Sequence, residues 1–319
     1  MIEVRISGGI GNQLFQYAFG YAMARKYNQM LVLDRSYFEY DKSREYNLDK
    51  FHLCPNEAIT YMENVEPDGF VRYIKILGGI YNKKRKLRKY IVIQEGESFC
   101  DIHETDNYYF RGFWQNEKYF KQYREEIICQ FIPVWKVSSE YERWLNLIQQ
   151  NKSASVHVRR TDYTKYNAVI HPEYYLKAIK KLLLTTDVDM LYIFTDDSKW
   201  VDQYFGKKEI KIPYKIVSGN GKLTDIEELM LMKACSHHII ANSSFSWWGA
   251  WLGDCEEKVV IAPKVNMWNE KFYCSDWTLL DAELWTAETK KQKNEAEKSS
   301  FVQNLRNKLL AHVKEAGYL

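Results

Sequence analysis

The 319-residue chain has the composition of an ordinary folded protein, with 46% hydrophobic and 27% charged residues. A formal net charge of +3 gives no overall reason to expect a nucleic acid partner. The six cysteines are widely spaced and form no CxxC pair, which argues against a disulfide scaffold or a zinc site. A chain of this length predicts about two domains of ~100 to 200 residues each.

The first residues, Met1 to Ile6, begin directly with an alternating strand pattern and lack the apolar core of a signal peptide. No apolar stretch approaches the ~20 residues that cross a bilayer. We therefore expect a cytoplasmic protein. The basic run from Lys83 to Lys89 predicts either a solvated face or peripheral contact with anionic lipid at an inner membrane.

The N-terminal half opens with the pattern of a strand, a glycine-rich turn, a helix and a second buried strand, over residues 2–33. Residues 34–131 are less regular and rich in tyrosine. Within them, the aromatic run from Tyr108 to Gln115 predicts a core strand or, alternatively, a platform on which a sugar stacks.

The second half repeats a strand, turn and helix pattern, which predicts a parallel sheet covered by helices. Thr224 and Glu227 have the spacing of a helix-capping box. The predicted fold is α/β, with domains at 1–150 and 151–286 and a boundary within residues 133–150. Residues 287–319 are predicted to form a charged linker and an amphipathic helix.

Three of the predicted turns follow strands and carry polar residues: Gly8 to Gln13, His157 to Asp162, and Asn242 to Ser246. The first lacks the third glycine of a dinucleotide fingerprint, because Leu14 stands there. The adjacent guanidiniums of the second suit a phosphate, although local acids could also pair with them. The third places small hydroxyl residues at a helix start, where they act as caps or help to hold a diphosphate.

Metal chemistry has little support in the sequence. Asp187 and Asp189 form a D-x-D pair, but they precede their strand and so lie at the wrong edge of the sheet. Asp196 and Asp197 follow a strand, where they could contact a ribose or base or cap the next helix. With Arg159 and Arg160 available to neutralise a diphosphate, no metal is required.

Four blocks together resemble the α-1,2-fucosyltransferases of glycosyltransferase family 11: Gly8 to Ala24, His157 to Tyr163, Phe194 to Asp197, and Asn242 to Leu252. The resemblance implies a GT-B-like fold, in which two Rossmann-type domains face each other across a cleft. It implies inverting transfer of L-fucose from GDP-β-L-fucose, without a metal cofactor. The implied acceptor is the 2-hydroxyl of a terminal galactose in an oligosaccharide or lipopolysaccharide precursor.

The motifs and the resemblance together assign expected roles to individual residues. Arg159, Asp162 and Asn12 are the expected catalytic residues, and Gln13, Tyr163 and Trp114 the expected acceptor contacts. The expected donor contacts are Gly9, Gly11, Asn12, His157, Arg159, Arg160, Asp196, Asp197, His237, Asn242, Ser243, Ser244, Phe245 and Ser246.

Some alternatives stay open at this point. Asp162 is either a general base or a brace that pairs with the backbone or with Arg160, and the leaving phosphate could itself accept the proton. An α-1,6- or protein O-fucosyltransferase-like enzyme, or a non-catalytic carbohydrate-binding protein, is the alternative function.

Overall fold

The computed structural model describes residues 1–53, 59–62, 90–96, 102–103, 105–134, 136–208, 210–219, 221–265 and 270–286. The predicted basic run from Lys83 to Lys89 and the predicted tail at 287–319 lie outside these residues. Among the helices described, none is both long enough and apolar enough to cross a membrane.

The first sheet has five parallel strands in the described part of the chain, in the order β3-β2-β1-β5-β4. Short runs rich in valine, isoleucine and aromatic residues form these strands, as their side chains favour a pleated surface. The strands are β1 Ile2–Arg5, β2 Leu31–Asp34, β3 Ile59–Met62, β4 Tyr90–Gln94 and β5 Asn107–Arg111.

The second sheet has six parallel strands in the described residues, in the order β11-β10-β9-β6-β7-β8. This is the strand order of a doubly wound dinucleotide-binding fold. The strands are β6 Ser153–Val158, β7 Met190–Thr195, β8 Tyr214–Ile216, β9 His237–Ile239, β10 Val260–Lys264 and β11 Thr278–Asp281.

Helices connect and cover the strands. Thr224 forms the predicted capping box with Glu227. The α-helices of the described residues are α1 Ile10–Lys26, α2 Tyr37–Tyr40, α3 Arg124–Gln130, α4 Ser139–Gln149, α5 Glu173–Thr185, α6 Ser198–Phe205, α7 Asp225–Lys233 and α8 Ser244–Leu252.

Each sheet has a point at which its strand order reverses, and open α/β sheets bind ligands at such points. In the first sheet the order reverses between β1 and β5, and in the second between β6 and β9. The three polar turns of the sequence follow β1, β6 and β9. The expected arrangement of two Rossmann-type sheets, as in a GT-B fold, is therefore confirmed.

One buried aromatic cluster joins the two halves. Phe15 of α1 packs against Trp247 and Trp248 of α8, with ring centroids 4.4 and 5.0 Å apart. The Trp248 indole N–H donates to the Gly11 carbonyl at 2.9 Å. The starts of α1 and α8 are thereby held against each other, which places the turns after β1 and β9 side by side.

Candidate active site

A cleft of about 560 Å³ opens where the carboxyl ends of the two sheets face each other. Both halves of the chain contribute to its walls. It is lined by Gly9, Ile10, Gly11, Asn12, Arg44, Phe113, Gln115, His157, Arg159, Asp162, Tyr163, Thr195, Asp196, Asp225, Glu228, Ser243, Ser244 and Phe245.

Arg159 is the central cation of the cleft. Its guanidinium contacts Asp162 at 2.7 Å and Asp196 at 3.3 Å. Three-quarters of its side chain is buried, yet it still faces the open volume. An anion that enters the cleft therefore meets a partly desolvated guanidinium whose position is fixed by two carboxylates.

Asp162 bridges two arginines. One of its oxygens, Oδ2, accepts from Arg159 at 2.7 Å and from Arg44 of the N-terminal half at 3.3 Å. Burial alone would raise the pKa of Asp162, but the hydrogen bond and charge of Arg159, together with Arg44, lower its pKa overall. The sequence analysis expected that a bracing Asp162 would pair with the backbone or with Arg160. In the structure its carboxylate pairs with Arg159 and Arg44 instead.

Arg160 faces away from the cleft and is not among its lining residues. Its guanidinium contacts Asp197 at 3.2 Å and stacks over the Trp200 ring at 3.8 Å from the centroid, with Trp285 at 5.3 Å. A charge held in this way stabilises the loop after β6. The second guanidinium of the motif is therefore not positioned to bind a ligand in the cleft.

The two aspartates after β7 order the same loop. Asp196 accepts from the backbone N–H groups of Arg160 and Thr161, at 2.8 and 3.0 Å. Asp197 caps α6 by accepting from the Trp200 N–H at 3.2 Å, the alternative that the sequence had left open. Of the pair, only Asp196 is among the residues that line the cleft.

His157 is a buried, neutral residue of the cleft wall. Burial, together with the charge of Arg159, lowers the pKa of His157 to about 3. Its Nδ1 atom is buried without a hydrogen-bond partner among the described residues. A buried polar atom of this kind calls for a partner, which a bound ligand would supply.

The start of α8 forms the wall beside Arg159. Ser243 is its N-cap, and Ser243, Ser244 and Phe245 line the cleft. The amino-terminal end of a helix of this length carries the positive end of its dipole. Behind it, Ser246 donates to the Ser243 carbonyl at 3.3 Å and Asn242 donates to the Ala168 carbonyl at 2.9 Å, so both support the turn from outside the cleft.

Asn12 connects three elements at the centre of the cleft. Its Oδ1 accepts from Ser244 of α8 and from Gln115 after β5, both at 2.8 Å. With Oδ1 used twice, the Nδ2 group is the part of this side chain that can donate to a ligand. Asn12 therefore faces the cleft as expected, in an orientation set by both walls.

The expected acceptor contacts separate into two groups. Tyr163 lines the cleft, and its hydroxyl donates to the Asn242 carbonyl at 3.0 Å. Trp114 does not line it, because its ring is fully buried and stacks on Phe19 at 4.1 Å. Gln13 is also fully buried, donating to the Gly8 and Glu45 carbonyls at 2.9 and 2.8 Å.

His237 lies at the amino-terminal end of β9, away from the carboxyl edge that forms the cleft. It accepts from the Val259 N–H at 3.2 Å. Asp187, of the D-x-D pair, forms an ion pair with Lys152. Neither residue is among those lining the cleft.

A group that could hold a metal ion in the described chain consists of Glu117, Cys274 and Asp276. None of the three lines the cleft. Lys121 contacts Glu117 at 3.2 Å, so one of the carboxylates already has a cationic partner.

Sequence reasoning missed Arg44, Asp225 and Glu228, and it placed Phe113 and Gln115 in the aromatic run from Tyr108 to Gln115 without selecting them as site residues. All five line the cleft. Burial raises the pKa of Glu228 to about 7, and its carboxylate accepts from Ser218 at 2.7 Å. Asp225 and Glu228 stand one turn apart at the start of α7, each directly after a residue of the capping box, Thr224 and Glu227. Their three-residue spacing on that helix is the signal that could have identified them.

The chain was compared with known proteins. It is 33% identical over 276 residues to an Alpha-1,2-colitosyltransferase of Escherichia coli, covering 82% of this chain and 91% of that protein. It is 28% identical over 288 residues to the O-antigen biosynthesis glycosyltransferase WbnK of Escherichia coli, covering 81% and 92%. It is 21% identical over 265 residues to the Galactoside 2-alpha-L-fucosyltransferase Sec1 of Mus musculus, covering 79% and 64%.

Among solved structures, the fucosyltransferase NodZ from Bradyrhizobium aligns with a TM-score of 0.45 and 16% identity, covering 78% of this chain and 92% of that one. The sequence profile described as Glycosyl transferase family 11 matches residues 81–281. That range holds the turns after β5, β6, β7 and β9. The chain therefore belongs to glycosyltransferase family 11 and is a glycosyltransferase.

Proposed function

We propose that this enzyme is an inverting galactoside α-1,2-fucosyltransferase. It moves L-fucose from GDP-β-L-fucose to the 2-hydroxyl of a terminal galactose in an oligosaccharide or lipopolysaccharide precursor. The observation that carries the proposal is the placement of Arg159 and the start of α8 on one wall of a cleft between two switch points. The names of the α-1,2-transferases and the O-antigen enzyme among its relatives support it.

The diphosphate of the donor fits the wall made by Arg159 and α8. A guanidinium binds two phosphate oxygens at once, and the helix start adds backbone N–H groups and a positive dipole end. Asn12 supplies a further donor from the opposite half. These groups supply positive potential from protein atoms, and on this basis we propose that no metal ion is required.

The nucleoside end of the donor fits the wall near α7. Guanine presents N–H donors, and the carboxylates of Asp225 and Glu228 are acceptors of the kind that pair with them. His157 is neutral, so it adds a hydrogen-bonding ring without adding charge. The same wall thus offers acceptors for a base and donors for a diphosphate.

In the proposed reaction, the oxygen of the galactose 2-hydroxyl attacks C1 of fucose. The bond between C1 and the phosphate oxygen breaks, and its electron pair leaves with GDP. Arg159 and the start of α8 stabilise the negative charge that develops there, which is the setting in which prepositioned donors contribute most. The proton of the 2-hydroxyl passes to the departing phosphate, because two arginines hold Oδ2 of Asp162 and lower the pKa of this carboxyl.

The test is an assay with GDP-fucose and lactose that measures released GDP and determines the product linkage by NMR. We expect galactoside-dependent GDP release, an α-1,2 linkage, and the same rate with EDTA present. Transfer only to N-glycans or to folded protein domains, in a parallel acceptor screen, would favour an α-1,6- or protein O-fucosyltransferase. No GDP release with any acceptor would contradict the proposal.

A second donor is favoured by one observation, the 33% identity to an α-1,2-colitosyltransferase. Colitose is a deoxy sugar, as is fucose, so the diphosphate wall described above serves either GDP-linked donor. The assay is therefore run with GDP-fucose and GDP-colitose at equal concentrations. A kcat/KM that is higher for the colitose donor would assign that donor in place of fucose.

A further inference from the structure

Phe113 is an exposed aromatic side chain on the wall of the cleft that faces Arg159. The residue is 44% exposed, whereas Phe110 and Trp114 of the same aromatic run are fully buried. It follows β5 at the point where the first sheet reverses its strand order. A large apolar ring that stays exposed in a polar cleft does not gain the stabilisation that burial gives to its neighbours.

The backbone around Phe113 adopts an unfavourable conformation. Gly112 has φ +152° and Trp114 has φ +56°, so left-handed residues stand on both sides of it. Glycine tolerates this geometry, but a residue with a side chain pays roughly 1 to 2 kcal/mol for it. Strained backbone of this kind clusters at ligand sites.

Four contacts hold this backbone in place. Gln16 donates to the Gly112 carbonyl at 3.0 Å, and the Phe113 N–H donates to Glu95 at 2.7 Å. The Trp114 ring is fixed by its stacking on Phe19. Gln115 then contacts Asn12, which connects the turn to the start of α8. Phe113 is thus held in the cleft by a rigid turn.

We propose that Phe113 is the platform on which the pyranose ring of the acceptor stacks. This inference rests on the proposed function and extends it to the acceptor subsite. In an inverting reaction the acceptor approaches C1 from the side opposite the diphosphate. The diphosphate wall belongs to the C-terminal half, so the acceptor lies against the N-terminal wall, where Phe113 stands.

The chemistry of a sugar ring suits this position. One face of a galactose ring carries C–H groups with partial positive charge, and the face of an aromatic ring is negative. Arg44 and Gln115, from the same half, are polar neighbours in the cleft that can bind the hydroxyl groups at the edge of the ring. A flat ring with polar neighbours recognises a saccharide, whereas a phosphate would gain nothing from it.

The test compares the wild-type enzyme with Phe113→Leu, which keeps an apolar side chain, and Phe113→Tyr, which keeps the ring. Leu184→Ala, on α5 and 77% exposed, is the control for removing an exposed apolar group. We expect Phe113→Leu to raise the KM for lactose by about 3- to 10-fold. The KM for GDP-fucose and the hydrolysis of donor without acceptor stay unchanged, and Phe113→Tyr and Leu184→Ala behave as wild type.

Calorimetric GDP binding by each variant shows that the cleft is intact. An unchanged lactose KM in Phe113→Leu, or a rise in the donor KM alone, overturns the platform. Saturation-transfer NMR of lactose with the GDP complex needs no turnover, so it tests Phe113 even if the proposed donor is wrong. We expect a lactose signal that Phe113→Leu weakens, and no signal from the wild-type protein would overturn the inference.

Discussion

At the scale of single residues, Asp162 has the geometry of a brace. Its Oδ2 atom holds Arg159 and Arg44, which come from opposite halves of the chain. A general base works best when its pKa lies near the working pH, whereas these arginines lower the pKa of Asp162. A carboxylate with a lowered pKa, and with one oxygen held by two arginines, is poorly suited to take a proton.

We therefore predict that Asp162→Asn keeps transfer within about tenfold of the wild-type kcat. The amide oxygen can still accept from Arg159, which also keeps its contact with Asp196. Loss of a true general base costs roughly 10² to 10⁴ in rate. The measurement is kcat with GDP-fucose and lactose between pH 6 and pH 9, where the carboxylate of the wild-type enzyme stays ionised.

Arg159→Met is the matched comparison, because it removes the stabilisation of the leaving group. We expect its kcat to fall by about 10²- to 10³-fold, by analogy with the loss of other charge-stabilising donors. If Asp162→Asn falls as far as Arg159→Met while still binding GDP, Asp162 acts as the base. An unchanged pH profile in Asp162→Asn supports the brace.

At the scale of elements, α8 is held at both ends. Near its carboxyl end, Arg124 donates to the Trp251 carbonyl and Lys258 to the Ala250 carbonyl, both at 2.8 Å. Cations at this end complement the helix dipole. The other end faces the cleft and abuts the start of α1. A Cβ placed on Gly11 would lie 2.6 Å from backbone atoms of Ser244 and Phe245.

We predict that Gly11→Ala lowers the free energy of unfolding by about 1 to 3 kcal/mol, the usual cost of overpacking. The added methyl group meets backbone, so α1 and α8 have to move apart to admit it. Gly9→Ala is the matched control, because a Cβ there meets nothing within 4 Å and the φ of −75° suits alanine. The measurement is the urea midpoint of each variant, and equal midpoints would contradict the close approach.

Sequence patterns predicted the helices and strands better than they predicted single contacts in the site. Alternating apolar residues placed β1 and β6, and the turns after β1, β6 and β9 do meet at one cleft. Trp114 was chosen as a sugar contact where Phe113 is the exposed ring. Which of these two rings is exposed depends on the left-handed backbone at Gly112 and Trp114, and a hydropathy pattern does not encode backbone conformation.

Arg44 could not be found from local patterns either. It lies in an irregular segment that reaches the cleft because Gln13, in the first turn of α1, holds its neighbours. Gln13 donates to the Glu45 carbonyl and accepts from the Asn47 N–H, each at 2.8 Å. Contacts across more than 30 residues of sequence give no periodic signal.

At the scale of the whole molecule, the aromatic cluster between the halves argues for one cooperative unit. Phe120 of the N-terminal half stacks on Trp248 with centroids 5.6 Å apart and meets Trp251 at 5.5 Å. With Phe15 and Trp247, this cluster is fully or almost fully buried. Each aromatic side chain buries roughly 150 to 250 Å².

The stabilisation from this cluster comes from burial of its rings on folding. Its five rings bury about 750 to 1,250 Å², or roughly 19 to 31 kcal/mol at 25 cal/mol per Å² as an upper bound. Part of this ring surface is covered by the opposite half, so separating the halves returns apolar surface to water.

We predict that the two halves unfold together, although each has its own sheet. The measurement is hydrogen exchange by mass spectrometry in increasing urea, following β1 (Ile2–Arg5) and β6 (Ser153–Val158) as reporters of the two sheets. Both strands are expected to lose protection at the same urea concentration, because loss of either half exposes the rings that the other half covers. Two separate midpoints would show that the cluster stabilises the contact between the halves less than its burial suggests. The two sheets would then be independent folding units that face each other across the cleft.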